Sequence, residues 1–160
     1  MANPLPNEKE LFERIKTERI TVEPGIWDLI YHHVGDDITA INLLCAYYLS
    51  KKEPIPIKEA EKILVYTRHI RDIVRKVTMS SSQEFPFPEF KDNIPLHPII
   101  RDMFTHYIGN DVHSINFMVC DTIDPLEPKP VSSEIIQKIL SRTRSIKEFM
   151  ERLRQATSTS

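Results

Sequence analysis

PGIWDLIYHHVGDDITAINLLCAYY at residues 24–48 and PIIRDMFTHYIGNDVHSINFMVCDT at residues 98–122 are two versions of one sentence. At a shift of 74, Pro24 falls on Pro98, Asp28 on Asp102, His32 on His106, Gly35 on Gly109, Asp37 on Asp111, Ile41 on Ile115 and Asn42 on Asn116. So many unlike residue types coinciding together mark an internal duplication. Beyond the next loop the shift becomes 76, and Lys62-Ile63-Leu64 then matches Lys138-Ile139-Leu140, Thr67-Arg68 matches Thr143-Arg144, and Ile70 matches Ile146. Each unit therefore reads as helix, loop, helix.

Trp27, Tyr31, Val34, Ile38, Ile41, Cys45 and Tyr48 recur in steps of four and three, the seam of a helix that packs at a shallow angle. Ala60, Ile63, Thr67, Ile70, Val74 and Val77 form the stripe of the second arm, and Ile136, Ile139, Thr143, Ile146, Met150 and Leu153 repeat it. The connections Lys51 to Pro56 and Asp124 to Pro130 are rich in proline, which cannot donate into a helix and so ends one arm before the next begins. Short connections make antiparallel neighbours. Because a lone hairpin cannot bury its own stripe, the sequence predicts an all-α fold: two tandem antiparallel hairpins closing into a pseudo-two-fold four-helix bundle. The expected divisions are an N-terminal helix and lead-in at 1–20, the first hairpin at 21–79, a linker at 80–95 holding Ser80-Ser81-Ser82 and Phe85-Pro86-Phe87-Pro88, the second hairpin at 96–156, and a disordered tail at 157–160. In the lead-in, Leu11, Phe12 and Ile15 are expected to lie on the bundle.

Only 3 glycines stand against 12 prolines in 160 residues, which favours helices and proline turns over sheets and glycine turns. A net charge of -2 offers no broad basic field for a phosphate backbone, so nucleic acid is not an expected partner. No apolar run approaches the roughly 20 residues of a membrane span, and the N-terminus lacks a signal-peptide core, so a cytoplasmic protein without membrane contact is expected. Cys45 and Cys120 lie inside apolar helical stretches with no CxxC pair and read as reduced, buried thiols.

His32 stands one position past Tyr31, and His106 one past Thr105, so both imidazoles are expected at the edge of the seam, within reach of solvent. HHVGDDITAIN at 32–42 and HYIGNDVHSIN at 106–116 resemble the phosphoacceptor helix of two-component histidine kinases: a histidine, a polar residue four places on, then an apolar-polar-small-isoleucine run. His32 and His106 match the acceptor, Asp36 and Asn110 the fourth position, and Ile38 to Ile41 and Val112 to Ile115 the run. The arm carrying Arg68 and Ile70 to Val74 is similar to the second arm of the dimerisation and histidine-phosphotransfer hairpin. This sequence departs from the pattern where His33 and Tyr107 replace the acid after the histidine, and where Asp37 and Asp111 replace a common proline. Asp36 sits one turn from His32 and shares its face.

The resemblance implies a stand-alone histidine phosphotransferase that exchanges phosphoryl groups with receiver domains of response regulators, with His32 and His106 as nucleophiles. His33, Asp36, Asp37, Tyr107, Asn110 and Asp111 are the supporting or recognition residues. No ATP-binding domain with glycine-rich loops is expected, hence no autokinase activity. No permanent cofactor is expected either, since the Mg2+ of such a transfer belongs to the receiver. An alternative is an inactive module that binds a receiver or a sensor kinase without moving phosphate, with Asp36, Asp37, Asn110 and Asp111 as recognition residues or simply a solvated face. A second alternative is a metal-binding bundle using His32, His33, Asp36 and Asp37 at helical spacing. His69 and His113, whose counterparts are Ser145 and Thr39, read as surface residues, and His97 before Pro98 as part of a helix start. Arg68 and Arg144 are read chiefly as partners of helix acids. Either a monomer or a homodimer fits the duplication.

Overall fold

A computed structural model describes residues 7–22, 24–78 and 96–158. The expected linker at 80–95, the stripe side chain of Val77 and the end of the expected tail lie outside those residues. The chain is all-helical: α1 (Glu8–Thr17), α2 (Pro24–Lys51), α3 (Ile57–Thr78), α4 (Pro98–Met103), a π turn (Phe104–Ile108), α5 (Gly109–Ile123) and α6 (Ser133–Thr157). No helix among the described residues is long and apolar enough to cross a membrane.

The helix ends follow from local chemistry. Asn7 caps α1 by accepting from the Lys9 N–H at 2.8 Å, with Glu8 and Glu10 in the first turn and Arg14 and Lys16 in the last, the order that the helix dipole favours. His97 caps α4 through Nδ1, which accepts from the Ile99 N–H at 3.1 Å, as its place before Pro98 suggested. Ser132 caps α6. Helices α1 and α2 end on left-handed residues, Arg19 at φ 54 and Lys52 at φ 57. In both, the following N–H reaches back five residues, Ile20 to the Ile15 carbonyl and Glu53 to the Tyr48 carbonyl, the Schellman closure that usually employs glycine. Gly35 and Gly109 instead stand within helical segments at negative φ. A mid-helix glycine there costs about 1 kcal/mol relative to alanine.

The stripes read from the sequence form the core. Val34, Ile38, Ile41 and Cys45 of α2 are buried, as are Ala60, Ile63, Ile70 and Val74 of α3 and Ile136, Ile139, Ile146, Met150 and Leu153 of α6. Helix α2 packs against α3 and α6, and α5 likewise packs against α3 and α6. Between hairpins, Thr143 Oγ1 donates to Asn42 Oδ1 at 2.6 Å, and Asn116 Nδ2 donates to Thr67 Oγ1 at 3.1 Å. These are the same two positions of the repeat, exchanged. Where the two loops meet, Ile55 and Val131, also equivalent positions, exchange both backbone hydrogen bonds at 2.9 Å and are fully buried. Helix α1 lies on α6, with Leu11 and Ile15 buried and Phe12 edge-on to Phe149 at 6.4 Å.

Two local features differ from expectation. The first helix of the second hairpin is not one continuous α-helix: the π turn takes up an extra residue across 104–108, so α4 is rotated relative to the first turns of α2. Ile99 and Met103 are buried where Gly25 is exposed and Leu29 half-buried, and Thr105, the counterpart of Tyr31, is exposed. The second difference is that α6 runs through Thr157, where the tail was expected to start. Thr157 is buried because Trp27 Nε1 donates to its Oγ1 at 3.1 Å.

Thr143→Val keeps the shape of the side chain but removes the hydroxyl that meets Asn42. Urea denaturation is expected to show a loss of about 1 kcal/mol, and a similar loss for Thr67→Val at the equivalent contact.

Candidate functional site

Helix α2 carries His32 out of the seam onto an exposed face, with 67% of its side chain accessible. One turn on, Asp36 brings Oδ2 to 3.5 Å from His32 Nδ1 and is itself 72% exposed. A carboxylate beside Nδ1 favours the tautomer protonated there, which leaves Nε2 as the nitrogen with a lone pair for chemistry. The His33 ring stands edge-on to that of His32 at a centroid distance of 4.9 Å, and its other side approaches the His69 ring of α3 at 6.1 Å. Three imidazoles thus form a row that crosses from α2 to α3.

Asp37 and Asp111 do not belong to a solvated face. Each is only 8% exposed. Asp37 pairs through Oδ2 with His69 Nδ1, and Asp111 with Arg142 at 3.1 Å, so each carboxylate ties the first helix of its hairpin to the second. Both lie three residues past a buried apolar position, Val34 or Ile108, and so fall on the buried stripe itself. Burial pushes the Asp37 carboxyl above the usual range, and the pull of His69 in the opposite direction does not offset it. His69 keeps 41% of its side chain accessible, as a surface residue, but is paired; His113 is exposed as expected.

The second copy is not equivalent. His106 lies inside the π turn and is half-buried. Its neighbour Tyr107 packs edge-on to it at 4.9 Å and against Phe149 at 5.0 Å, and burial raises the Tyr107 hydroxyl pKa. Asn110 is exposed one turn on, but an amide cannot replace the negative charge of Asp36. The repeat places His32 and His106 at matching positions, yet only His32 has a carboxylate partner among the described residues.

Other chemistry finds less support. Among the described residues, no group of three or more His, Cys, Asp or Glu side chains is placed to hold a metal ion. His33 and Asp37 face the α3 interface while His32 and Asp36 point outward, so the four residues at helical spacing do not converge. Burial pushes the Cys45 thiol up to about 12 and also raises Cys120, so neither supplies a ready thiolate. Arg68 and Arg144 are exposed.

One feature on the histidine face had no sequence signal beyond its spacing. Positions 32, 36, 39, 43 and 47 share one side of α2, and on that side Leu43 is 67% and Tyr47 50% exposed. The equivalent of Leu43 in α5, Phe117, is 62% exposed.

Because the folded-state pKa of Asp37 is raised above its unfolded value, this carboxyl is more protonated in the native than in the unfolded protein from pH 3.8 upward to the raised value. Its contribution to stability is expected to fall as pH rises across that window and to level off above it. Asp37→Asn, measured by thermal unfolding at a series of pH values, is expected to remove that fall. No family model, curated protein or solved structure matches this chain.

Proposed function

We propose that this chain is a histidine-containing phosphotransfer protein with His32 as its acceptor, exchanging phosphoryl groups with receiver domains of response regulators. The observation that carries the reading is the exposed His32 imidazole with the Asp36 carboxylate 3.5 Å from Nδ1. In this scheme His32 Nε2 attacks the phosphorus of a receiver's phosphoaspartate. The N–P bond forms, the acyl P–O bond breaks, and the receiver's carboxylate leaves with the electron pair. Asp36 holds the Nδ1 proton and offsets the positive charge that develops on the ring. The receiver brings its own Mg2+ to the encounter. His33 positions the His32 ring from one side, and Asp37 with His69 stiffens the α2–α3 pairing beneath it. His106, Tyr107, Asn110 and Asp111 form the altered copy, in which a half-buried ring without a carboxylate is poorly suited to transfer.

The framework is proposed to be a pseudo-two-fold four-helix bundle in one chain. The exchange of bonds between Ile55 and Val131, and the Asn42–Thr143 and Asn116–Thr67 contacts, support an axis through the two loops. Since each hairpin covers the other, the bundle needs no second chain, and the reading takes a monomer.

A second reading is favoured by the exposed Leu43 and Tyr47, which share the His32 side of α2. Large apolar residues on the histidine face suit protein docking whether or not phosphate moves, which describes a module that binds a receiver or a sensor kinase without transfer.

Incubation with phosphorylated receiver domains is expected to place acid-labile phosphate on the wild-type protein. His32→Ala should abolish it, His106→Ala should leave most of it, and Asp36→Asn should slow its appearance about 10-fold or more. Receivers that bind without labelling the protein would support the docking module instead; no binding by any receiver would overturn the phosphotransfer reading, and no binding by receivers or sensor kinases would overturn both.

A further inference from the structure

Two clefts at the junctions between hairpins are built from equivalent positions of the repeat. One, of about 100 Å³, lies between α2 and α6 and is lined by Gly35, Ile38, Lys147 and Met150. The other, of about 250 Å³, lies between α3 and the π turn with α5, and is lined by Gly109, Val112, Arg71 and Val74. At shifts of 74 and 76 these are the same four positions: a glycine, an apolar residue one turn on, and from the facing helix a cation and an apolar residue. Ile38, Met150, Val112 and Val74 are buried, whereas Lys147 and Arg71 are exposed. Each cleft thus has an apolar floor and a cation at its rim, with Arg75 a second cation on the larger one, and neither Lys147 nor Arg71 is paired with a carboxylate among the described residues.

The glycines have no structural need to be glycine. Neither has a positive φ, and a Cβ built on Gly35 or Gly109 would meet nothing within 4 Å. The two described positions that do adopt the left-handed conformation are Arg19 and Lys52. Glycine is thus absent where the backbone favours it and present, in both copies, where the helix disfavours it and a side chain would enter a cleft. Keeping that space open is the property the two glycines share.

We infer that these clefts are paired binding sites for a small organic anion, an acidic headgroup on a short apolar chain, with the chain on the Ile38–Met150 or Val112–Val74 floor and the headgroup at Lys147 or Arg71. This inference stands independently of phosphotransfer at His32. Carboxylates and phosphate monoesters share the recognised chemistry. The larger cleft accommodates the longer chain, whereas the smaller holds a volume of only about three water molecules.

The test is an amide-shift titration of the full chain with sodium butyrate, sodium hexanoate, hexyl phosphate, 1-hexanol and inorganic phosphate. Saturable shifts at both glycines with butyrate, and chiefly at Gly109 with hexanoate, are expected. Hexyl phosphate in place of hexanoate shows which headgroup is preferred, and saturable binding of either supports the inference. Gly35→Ala should abolish the response of the first cleft alone and Gly109→Ala that of the second, while raising the melting temperature by about 2–4 °C, which shows that the variants are folded. Lys147→Gln and Arg71→Gln should each weaken their own cleft at least tenfold. Unsaturable shifts with every organic anion would overturn the inference. Equal binding by the alanine variants would do so too, as would 1-hexanol or inorganic phosphate binding as well as hexanoate.

Discussion

A helical hairpin has one apolar stripe per arm and only one neighbour to cover it, so half of that surface faces water until a second hairpin arrives. The arrangement of this chain depends on that constraint. Helices α2 and α5 each touch both α3 and α6, so every stripe is covered partly within its own hairpin and partly by the other. The isoleucines at positions 63, 70, 136, 139 and 146 are completely buried, and each contributes about 1.5–3 kcal/mol relative to exposure. Polar contacts set alignment within that apolar contact. The two Asn–Thr pairs and the reciprocal Ile55–Val131 bonds occur at fixed positions of the repeat, so sliding one hairpin along the other would break all of them together.

Much of this was legible because the duplication supplied two independent readings of each helix. The steps of four and three through Val34, Ile38, Ile41 and Cys45, and through Ile136, Ile139 and Thr143, correspond to buried positions throughout. The π turn was not legible, because the spacing from Pro24 to Asn42 equals that from Pro98 to Asn116 and no insertion marks it. Only the backbone, rotated within an unchanged number of residues, separates Thr105 from Tyr31. For Asp37 and Asp111 it is the solvated-face option alone that fails, since both are buried. Their charge suggested solvent, while their distance from Val34 and Ile108 already placed them on the packed side.

The histidine site was half legible. Spacing alone gave the turn between His32 and Asp36, since both belong to one helix. The partnership of Asp37 with His69 depends on how α2 and α3 are registered, and no local pattern encodes that. The structural contrast between the copies has the same origin: identical spacing in the sequence, different backbone phase, and therefore one exposed imidazole with a carboxylate beside it and one half-buried imidazole beside a tyrosine.

Trp27 is the only tryptophan in the chain, and its indole joins the beginning of the first hairpin to the last turn of α6 through Thr157. Its ring also lies 5.8 Å from that of Phe104, at the entrance to the π turn. One chromophore therefore adjoins the closure of the hairpins and the irregular turn at once. Its emission spectrum is an intrinsic optical gauge of whether the two halves of the molecule remain joined, with no label required.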